Sequence, residues 1–341
     1  MNQDGSQTGP GAAATPRRLA VVSDAGLQRN RGTALRRDWI DRVRVNRSAV
    51  ERRASTLATR RSVKKEWQAA WLLRAVTCLD LTTLAGDETA GRIRRLCAKA
   101  RHPVGTDLLA GLGVERPKIQ VAAVCTYHAF VAAAVESLAG SGIHVAAVSA
   151  GFPAGLSPFE QRVGEVRASV EAGADEIDVV ITRAHVLSGD WPALYDEVAA
   201  FREACGAAHL KTILGTGDLA TLRNIEKASL VCMMAGADFI KTSTGKEPVN
   251  ATLPVSLVMV RAIRQYWELT GNRVGFKPAG GIRTAKQALA WLILTKEELG
   301  DPWLGAGLFR FGASGLLGDI ERQLEHFATG RYSAAFRHPV A

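Results

Sequence analysis

Eight short apolar segments, each followed by a stretch with helical periodicity, are the feature that most constrains how this chain folds. One segment and its helical stretch span about 30 to 40 residues, which suits a strand joined to a helix. Eight such units predict an α/β protein, a (β/α)8 TIM barrel, and the lack of G-x-G-x-x-G after the first segment weakens a dinucleotide-binding interpretation. The predicted strands are 75–79, 120–125, 144–149, 176–181, 209–214, 238–242, 273–277 and 308–312.

The predicted barrel occupies residues 71–330, and the chain extends beyond it at both ends. Residues 1–37 are rich in Gly, Ala, Thr, Ser and Arg without a sustained period, which predicts a disordered basic tail. Residues 38–70 carry apolar side chains at loosely helical intervals among arginines, which predicts a helical extension across the bottom of the barrel. Residues 331–341 form a C-terminal tail.

The net charge of +10 raises the question of nucleic-acid binding. Residues 1–66 hold 15 Lys or Arg against 6 Asp or Glu, which leaves 28 against 27 for the rest of the chain. The basic character therefore belongs to the extension, and the barrel carries no electrostatic footprint for nucleic acid. Binding through the Arg-rich extension stays open as an alternative to a solvated face or a subunit contact.

Cysteine usage and hydropathy indicate the compartment. The five cysteines are an odd number without metal-ligand spacing, which suits a reducing cytoplasm. No apolar run approaches the roughly 18 residues that span a membrane, so no membrane partner is expected. The Arg-rich start leaves an organelle transit peptide as an alternative.

Two lysines end neighbouring predicted strands, where barrels of this kind carry their chemistry. Lys241 follows Asp238-Phe239-Ile240, and Lys277 follows Val274-Gly275-Phe276. Two ammonium groups in one cavity disfavour each other's charge, so one can become a neutral amine that forms an imine with a carbonyl compound. Aldol chemistry follows from that pairing; the alternative is a pair of structural lysines bound to Asp178 or Asp80.

Further polar residues and glycine-rich turns lie at the same predicted edge. If the face of strand 4 that carries Asp178 is the barrel interior, Asp178 can pair with Lys277, either to move protons or only to compensate the charge of the lysine. Cys125 is either a pocket residue or a small core residue. Glycine-rich turns follow strands 7 and 8, and Ser243-Thr244-Gly245-Lys246 follows strand 6. Backbone amides in such turns can bind phosphate.

These motifs resemble the deoxyribose-phosphate aldolase family. Asp238-Phe239-Ile240-Lys241-Thr242-Ser243-Thr244-Gly245-Lys246 is similar to its Schiff-base signature, and Gly275-Phe276-Lys277-Pro278-Ala279-Gly280-Gly281 is similar to its second lysine motif. Shorter matches occur at 79–84, 124–127, 174–178 and 310–314, so the resemblance covers about residues 74–325.

The resemblance implies a class I aldolase that reversibly cleaves 2-deoxy-D-ribose 5-phosphate to acetaldehyde and D-glyceraldehyde 3-phosphate in deoxyribonucleoside catabolism, without metal or nucleotide cofactor. It implies that Lys241 carries the imine, that Lys277 depresses the pKa of Lys241, and that Asp178 joins Lys277 in a proton relay. A homo-oligomer such as a dimer is expected by the same likeness. Substrate would contact Asp80, Thr82, Cys125, Lys211 and Thr244, and its phosphate would contact Gly245, Lys246, Gly280, Gly281, Ser314 and Gly315.

The sequence departs from the family at three places. Gly315 stands where many members have a second hydroxyl residue, so that contact to phosphate can come only from backbone. Some members end in a tail whose terminal Tyr assists proton transfer, whereas this chain ends Pro339-Val340-Ala341 and has Tyr332 upstream. The N-terminal region to about Ala70 lies outside the part that resembles the family's bacterial barrels and is assigned no catalytic role.

Three other functions compete with this interpretation. The first is a Schiff-base aldolase or transaldolase that acts on a different sugar phosphate. The second is a sugar-phosphate sensor that has lost turnover. The third is nucleic-acid binding through the Arg-rich extension. A metal site at His128, His185 and His209 is not favoured over a structural or surface role, because these residues lie on different predicted elements without paired ligand spacing.

Overall fold

The computed structural model of the chain describes residues 29–60, 62–114 and 118–339. Eight parallel strands occur in these ranges, and strands next to each other in sequence are paired from β1 to β7. The strands are β1 Leu79–Thr82, β2 Ala123–Tyr127, β3 His144–Ser149, β4 Glu176–Val180, β5 His209–Ile213, β6 Phe239–Lys241, β7 Gly275–Lys277 and β8 Phe311–Ala313.

The sheet curls until its two ends meet. Strand β1 pairs with β8, with Leu79 opposite Phe311. Single parallel bridges, Phe276 to Phe309 and Ala279 to Gly312, join β7 to the segment around β8. The result is a nearly closed (β/α)8 barrel with an N-terminal helical extension, and the predicted fold class is confirmed.

Helices alternate with the strands and surround the barrel. Four α-helices precede β1, and the remaining ten described α-helices follow it. They are α1 Arg37–Asp41, α2 Arg47–Ser55, α3 Leu57–Arg60, α4 Lys65–Thr77, α5 Ala90–Arg101, α6 Thr106–Gly111, α7 Val131–Leu138, α8 Phe159–Glu171, α9 Arg183–Ser188, α10 Trp191–Ala204, α11 Leu222–Met234, α12 Leu253–Thr270, α13 Ala285–Leu299 and α14 Leu316–Thr329.

Threonine caps begin the helices that follow β5, β6 and β7. Thr221, Thr252 and Thr284 each accept a hydrogen bond from a backbone N–H in the first turn of α11, α12 and α13. In α13 the side chain of Gln287 bonds back to the cap, which completes a capping box. These signals fix where each helix starts, and hence the length of the loop that follows each strand.

Apolar side chains pack on both faces of the curled sheet, outside the barrel and inside it. The larger layer lies between the sheet and the helices and includes Ile240 and Phe276. A small cluster fills one side of the barrel interior: Leu84, Ala123, Cys125, Ala146 and Val148. Because β2 and β3 supply this apolar wall, the charged side chains of the other strands face it across the interior.

The first, second and last strands differ most from their predicted bounds. Strand β2 was predicted over 120–125 and spans Ala123–Tyr127. Residues 75–77 were predicted to begin β1, but they form the last turn of α4, and β1 begins at Leu79. Ala75 and Val76 are fully buried, and a continuous apolar run has no period that separates a buried helix from a strand. Strand β8 begins at Phe311, three residues after the predicted start.

Residues 29–36, at the end of the predicted tail, lie against the barrel bottom. The backbone N–H of Asn30 donates to Asp238 Oδ1 (3.0 Å), and its side-chain amide donates to the carbonyls of Met233 (2.7 Å) and Ala237 (2.9 Å). Tyr266 donates its hydroxyl to Asn30 Oδ1 (3.1 Å). The rest of the predicted tail, 1–28, lies outside the described residues.

None of the described helices combines the length and apolarity that a bilayer crossing requires.

Candidate active site

Lys241 and Lys277 stand side by side inside the barrel. Their Cα atoms are partners in the register of β6 and β7. Ile240 and Phe276, one residue earlier on each strand, belong to the outer apolar layer. Because side chains alternate along a strand, both lysines point into the barrel interior, where they are almost fully buried.

Asp178 on β4 lies at the centre of three ammonium groups. Its Oδ2 accepts from Lys241 Nζ (2.8 Å) and from Lys277 Nζ (2.7 Å), and its Oδ1 accepts from Lys211 Nζ (2.8 Å). Burial disfavours its charge, but the three ammonium groups outweigh burial and hold the pKa of Asp178 well below its ordinary value. The carboxylate therefore stays ionised at neutral pH.

The three lysines differ in how many carboxylates they contact. Lys277 bonds to both Asp80 and Asp178, and Lys211 bonds to both Glu176 and Asp178. Among the described residues, Lys241 pairs with Asp178 alone and shares the accepting oxygen with Lys277. Lys241 is thus the least compensated cation of the cluster.

The pKa directions follow from these partners. Burial lowers the pKa of Lys241, Asp178 raises it and the Lys277 ammonium lowers it, with a net shift below the ordinary value. Burial also opposes the charge of Lys277 and Lys211, but their carboxylates raise both pKa values. The site therefore has one lysine suited to be a neutral nucleophile and two that remain ammonium groups.

Arg310 and Glu176 support the cluster from below, and sequence analysis gave neither a role. Arg310 donates to Asp80 Oδ1 (2.6 Å) and to Glu176 Oε1 (2.8 Å). His144, at the start of β3, contacts the same Glu176 oxygen at 2.6 Å. The signal was present, because Arg310 stands between Phe309 and Phe311 in an apolar run, where an unpaired charge would be costly.

The buried charges balance when Lys241 is neutral. Three cations then face three carboxylates within hydrogen-bonding contact. The cations are Lys211, Lys277 and Arg310, and the carboxylates are Asp80, Glu176 and Asp178. An iminium ion on Lys241 would add one positive charge next to Asp178, which already contacts its nitrogen.

Thr82 and Cys125 line the same interior; the first makes a hydrogen bond, and the second packs in the apolar wall. Thr82 donates its hydroxyl to the carbonyl of Asp80 (2.7 Å). Cys125 is fully buried in the apolar wall, and burial raises the pKa of its thiol. A protonated thiol beside Ala146 keeps this wall small and apolar.

The turn after β6 is tightly bonded within the chain. Thr244 donates its N–H and its hydroxyl to Glu247 Oε2 (3.0 and 2.6 Å). Gly245 donates its N–H to Asn250 Oδ1 (3.1 Å), so three donors on two residues predicted to contact substrate or phosphate are already bonded within the chain. Lys246 is exposed at the end of the turn.

The turns after β7 and β8 lie next to each other. The bridge between Ala279 and Gly312 brings them together. Gly280 and Gly281 both have a positive φ, +81° and +80°, and a Cβ on Gly280 would lie 2.6 Å from the side chain of Asn250. Ser314 and Gly315 are exposed at the start of α14, whose N-terminus favours an anion.

Ser243 is a further residue that sequence analysis quoted without a role. It is fully buried, two residues beyond Lys241, and its hydroxyl has no hydrogen-bond partner within the described part of the chain. A buried hydroxyl without a partner is costly, so this position suits a group that bonds to a bound molecule.

The three histidines do not converge. His128 contacts Ser169 at 3.3 Å, His209 packs against His144 at the opposite end of the strands, and His185 lies on α9. In the ranges the structure describes, no cluster of three His, Cys, Asp or Glu side chains has the arrangement of a metal site.

Two other regions lie away from the lysines. A surface cavity of about 510 Å³ between α8, α9 and α10 has Arg162 in its lining, but that guanidinium is already bonded to Glu197 (2.6 Å) and to the carbonyl of Val180 (2.6 Å). Tyr332 stacks on His326 near the end of α14 and is 82% exposed. Since α14 runs away from the strand ends that carry the lysines, Tyr332 lies at the other end of the barrel.

A barrel with buried lysines at the ends of neighbouring strands is the architecture of an imine-forming aldolase. The family model described as DeoC/LacD family aldolase matches residues 74–316. The chain belongs to this family.

Two mammalian relatives match nearly the whole length of this chain and of their own. The chain is 61% identical to the deoxyribose-phosphate aldolase of Mus musculus over 313 residues, which are 91% of this chain and 98% of that protein. It is 60% identical to the Homo sapiens deoxyribose-phosphate aldolase, over 92% of this chain and 99% of that one. The solved structure of the Aeropyrum pernix deoxyribose phosphate aldolase, a tetramer, shares the fold at a TM-score of 0.56 and 21% identity, over 82% of this chain and 99% of that chain.

Proposed function

We propose that this chain reversibly cleaves 2-deoxy-D-ribose 5-phosphate to acetaldehyde and D-glyceraldehyde 3-phosphate through an imine on Lys241, in deoxyribonucleoside catabolism. Relatives of that name, about 60% identical over more than nine tenths of both chains, support the reaction. The observation that supports the role of Lys241 is its single, shared carboxylate partner among the described residues.

The chemistry begins with attack of the neutral Lys241 amine on the C1 aldehyde of the open-chain sugar. Loss of water gives an iminium ion whose charge Asp178 can compensate. The C3 hydroxyl then loses its proton, the C2–C3 bond breaks, and the bonding electrons move into the iminium to give an enamine. Protonation of the enamine at C2 and hydrolysis release acetaldehyde and restore the amine.

Asp178 and Lys277 are the groups we assign to proton transfer. They are bonded to each other at 2.7 Å, and both contact the region around Lys241 Nζ. A carboxylate beside an ammonium group can take a proton in one step and return it in another. Lys211 and Asp80 hold these two groups, and Thr82 and Cys125 line the pocket.

The phosphate is assigned to the three turns at the same end of the barrel. Lys246, Gly280, Gly281, Ser314 and Gly315 offer one exposed ammonium, backbone N–H groups and a hydroxyl. Thr244 and Gly245 shape the first turn, because their donors are already bonded to Glu247 and Asn250. We assign catalysis to the barrel, residues 71–330, and none to the extension.

The test is the intact mass after borohydride reduction with acetaldehyde. We expect one ethyl group to be added to the wild type and none to Lys241→Ala, while Lys296→Ala, an exposed lysine 45% accessible, behaves like wild type. Retro-aldol turnover of the sugar phosphate should be lost in Lys241→Ala alone. An adduct with a ketose phosphate but none with acetaldehyde would instead favour a different Schiff-base aldolase.

Three further proposals concern the setting of the enzyme. The imine mechanism needs no metal, so we expect full activity in EDTA; loss on chelation with recovery in zinc would contradict it. We propose a cytoplasmic location from the cysteine usage, which fractionation tests. We propose a homodimer from the family likeness, and light scattering of the purified protein measures its mass.

A further inference from the structure

The carboxylate of Glu247 holds the turn Ser243–Lys246, which we call the phosphate turn. Glu247 accepts both the N–H and the hydroxyl of Thr244. The same Thr244 hydroxyl accepts the N–H of Lys246 (3.0 Å). The side chain of Glu247 is only 5% exposed, so its position is fixed by protein contacts rather than by solvent.

Arg183, at the start of α9, fixes Glu247 in turn. Its Nη2 donates to Glu247 Oε1 (3.0 Å), and its Nε lies 3.1 Å from Asp218 Oδ2. Its Nη1 donates to the carbonyl of Ala154 (3.0 Å). One guanidinium thus connects the loops that follow β3, β4, β5 and β6.

Backbone geometry makes room for this arrangement. Gly215 has a φ of +65°, and a Cβ there would lie 2.3 Å from Arg183 Nε. A Cβ on Gly217 would lie 2.2 Å from the carbonyl oxygen of Val249, two residues beyond Glu247. The loop after β5 therefore packs directly on Arg183 and on the end of the loop after β6.

We propose that Arg183 and Glu247 are positioning residues that fix the phosphate turn and so set the preference for a phosphorylated substrate. This inference rests on the proposed function. Lys241 is held by strand register and by Asp178, whereas the phosphate turn lies beyond the strand and depends on side-chain contacts. Loss of the pair should therefore weaken phosphate binding and leave imine chemistry unchanged.

The decisive variant is Arg183→Lys, which keeps the charge but loses the planar group that contacts several loops. We expect its KM for 2-deoxyribose 5-phosphate to rise about tenfold with kcat near wild type, because a misplaced binding loop costs affinity. kcat/KM for unphosphorylated 2-deoxyribose should not change. Glu247→Gln should give the same split, and the double variant should be no worse than the more impaired single variant.

Glu298→Gln is the matched control. Glu298 is also 5% exposed and pairs with Arg261 at 3.1 Å, but it joins α12 to α13 away from the phosphate turn. We expect no change in either KM. Melting temperatures of all variants, measured together, identify any that fail to fold, and the conservative Arg183→Lys keeps the test available if Glu247→Gln does.

Three outcomes would overturn the proposal. Parallel losses for both substrates would indicate a general structural effect. A lower KM in Glu247→Gln with no change in Arg183→Lys would mean that Glu247 acts on phosphate only by charge repulsion. The third is unchanged kinetics in both variants.

Failure of the proposed function has a separate signature. A wild type that turns over neither sugar would contradict the proposed reaction. Phosphate binding at the phosphate turn could still be measured. Inorganic phosphate titrated by thermal shift would then decide, because the inference requires weaker binding in Arg183→Lys than in wild type and Glu298→Gln. Equal binding in all three would overturn it.

Discussion

Lys241 Nζ and Lys277 Nζ donate to the same oxygen, Oδ2 of Asp178, at 2.8 and 2.7 Å. One carboxylate oxygen cannot fully compensate two ammonium groups in a buried site. Lys277 has Asp80 as a second partner and Lys241 has no other carboxylate among the described residues. The second carboxylate, Asp80, therefore keeps Lys277 charged, and Lys241 is the lysine that gives up its proton.

Replacing Lys277 by Met should shift the reactivity of Lys241 to higher pH. The Lys277 ammonium lowers the pKa of Lys241, so its removal raises that pKa and leaves less neutral amine at pH 7. We expect turnover at pH 7 to fall by about 10² to 10⁴, since a proton-transfer group is also lost. The measurement is the pH dependence of acetaldehyde trapping by borohydride. Lys277→Arg, which keeps the charge, should retain a wild-type midpoint; identical midpoints in Lys277→Met and wild type would contradict the charge argument.

Acid should unfold the protein through the buried carboxylates. Interactions with cations hold the pKa values of Asp178 and Glu176 well below their ordinary values of 3.8 and 4.5. A carboxyl group with a lowered folded pKa stabilises the fold above its unfolded pKa and loses that contribution as pH falls through the folded value. The free energy of unfolding, from urea titrations, should therefore decrease as pH falls below about 4.5. A free energy that stays constant through that range would mean that the buried cluster does not couple to folding.

Ser243→Ala should separate stability from binding. The buried hydroxyl has no partner in the described chain, so its removal should leave the melting temperature unchanged or slightly higher. If the hydroxyl bonds to substrate, KM should rise by a factor that corresponds to about 0.5 to 1.5 kcal/mol. Ser229→Ala, whose buried hydroxyl bonds to the carbonyl of Ile225 at 2.7 Å, is the control and should leave KM unchanged. A drop in melting temperature without a change in KM would assign Ser243 to packing.

Gly275→Ala should destabilise the barrel beneath the lysines. A Cβ at Gly275 would lie 2.2 Å from the ring of Phe239, its register partner on β6. Overpacking of this kind costs about 1 to 3 kcal/mol, and the displaced ring would disturb Lys241 two residues further on. Thermal unfolding and turnover measure the two effects. Gly164→Ala in α8, where nothing lies within 4 Å of the added Cβ, should instead be neutral or stabilising.

Most of the architecture could be predicted from the chain because its signals are local. The apolar segments lie in the barrel strands, and helices α8 and α10 follow directly from amphipathic periodicity. The wrongly predicted strand starts also have local causes. At 75–77 an unbroken apolar run hid a helix end, and around Phe309 a single bridge replaces the predicted start of a strand.

The sequence by itself determined the barrel class, because the alternating strand and helix patterns are local, and it determined the family likeness through its motifs. It also placed the two lysines at adjacent strand ends, because side chains alternate along a strand. Only the tertiary structure decided how charge is shared: which carboxylate oxygen each lysine contacts, how Arg310 and Glu176 complete the cluster, and how Arg183 reaches Glu247 across 64 residues of chain. Hydrogen bonds and ion pairs act over a few ångströms between groups far apart in sequence, and no local pattern in one chain encodes those distances.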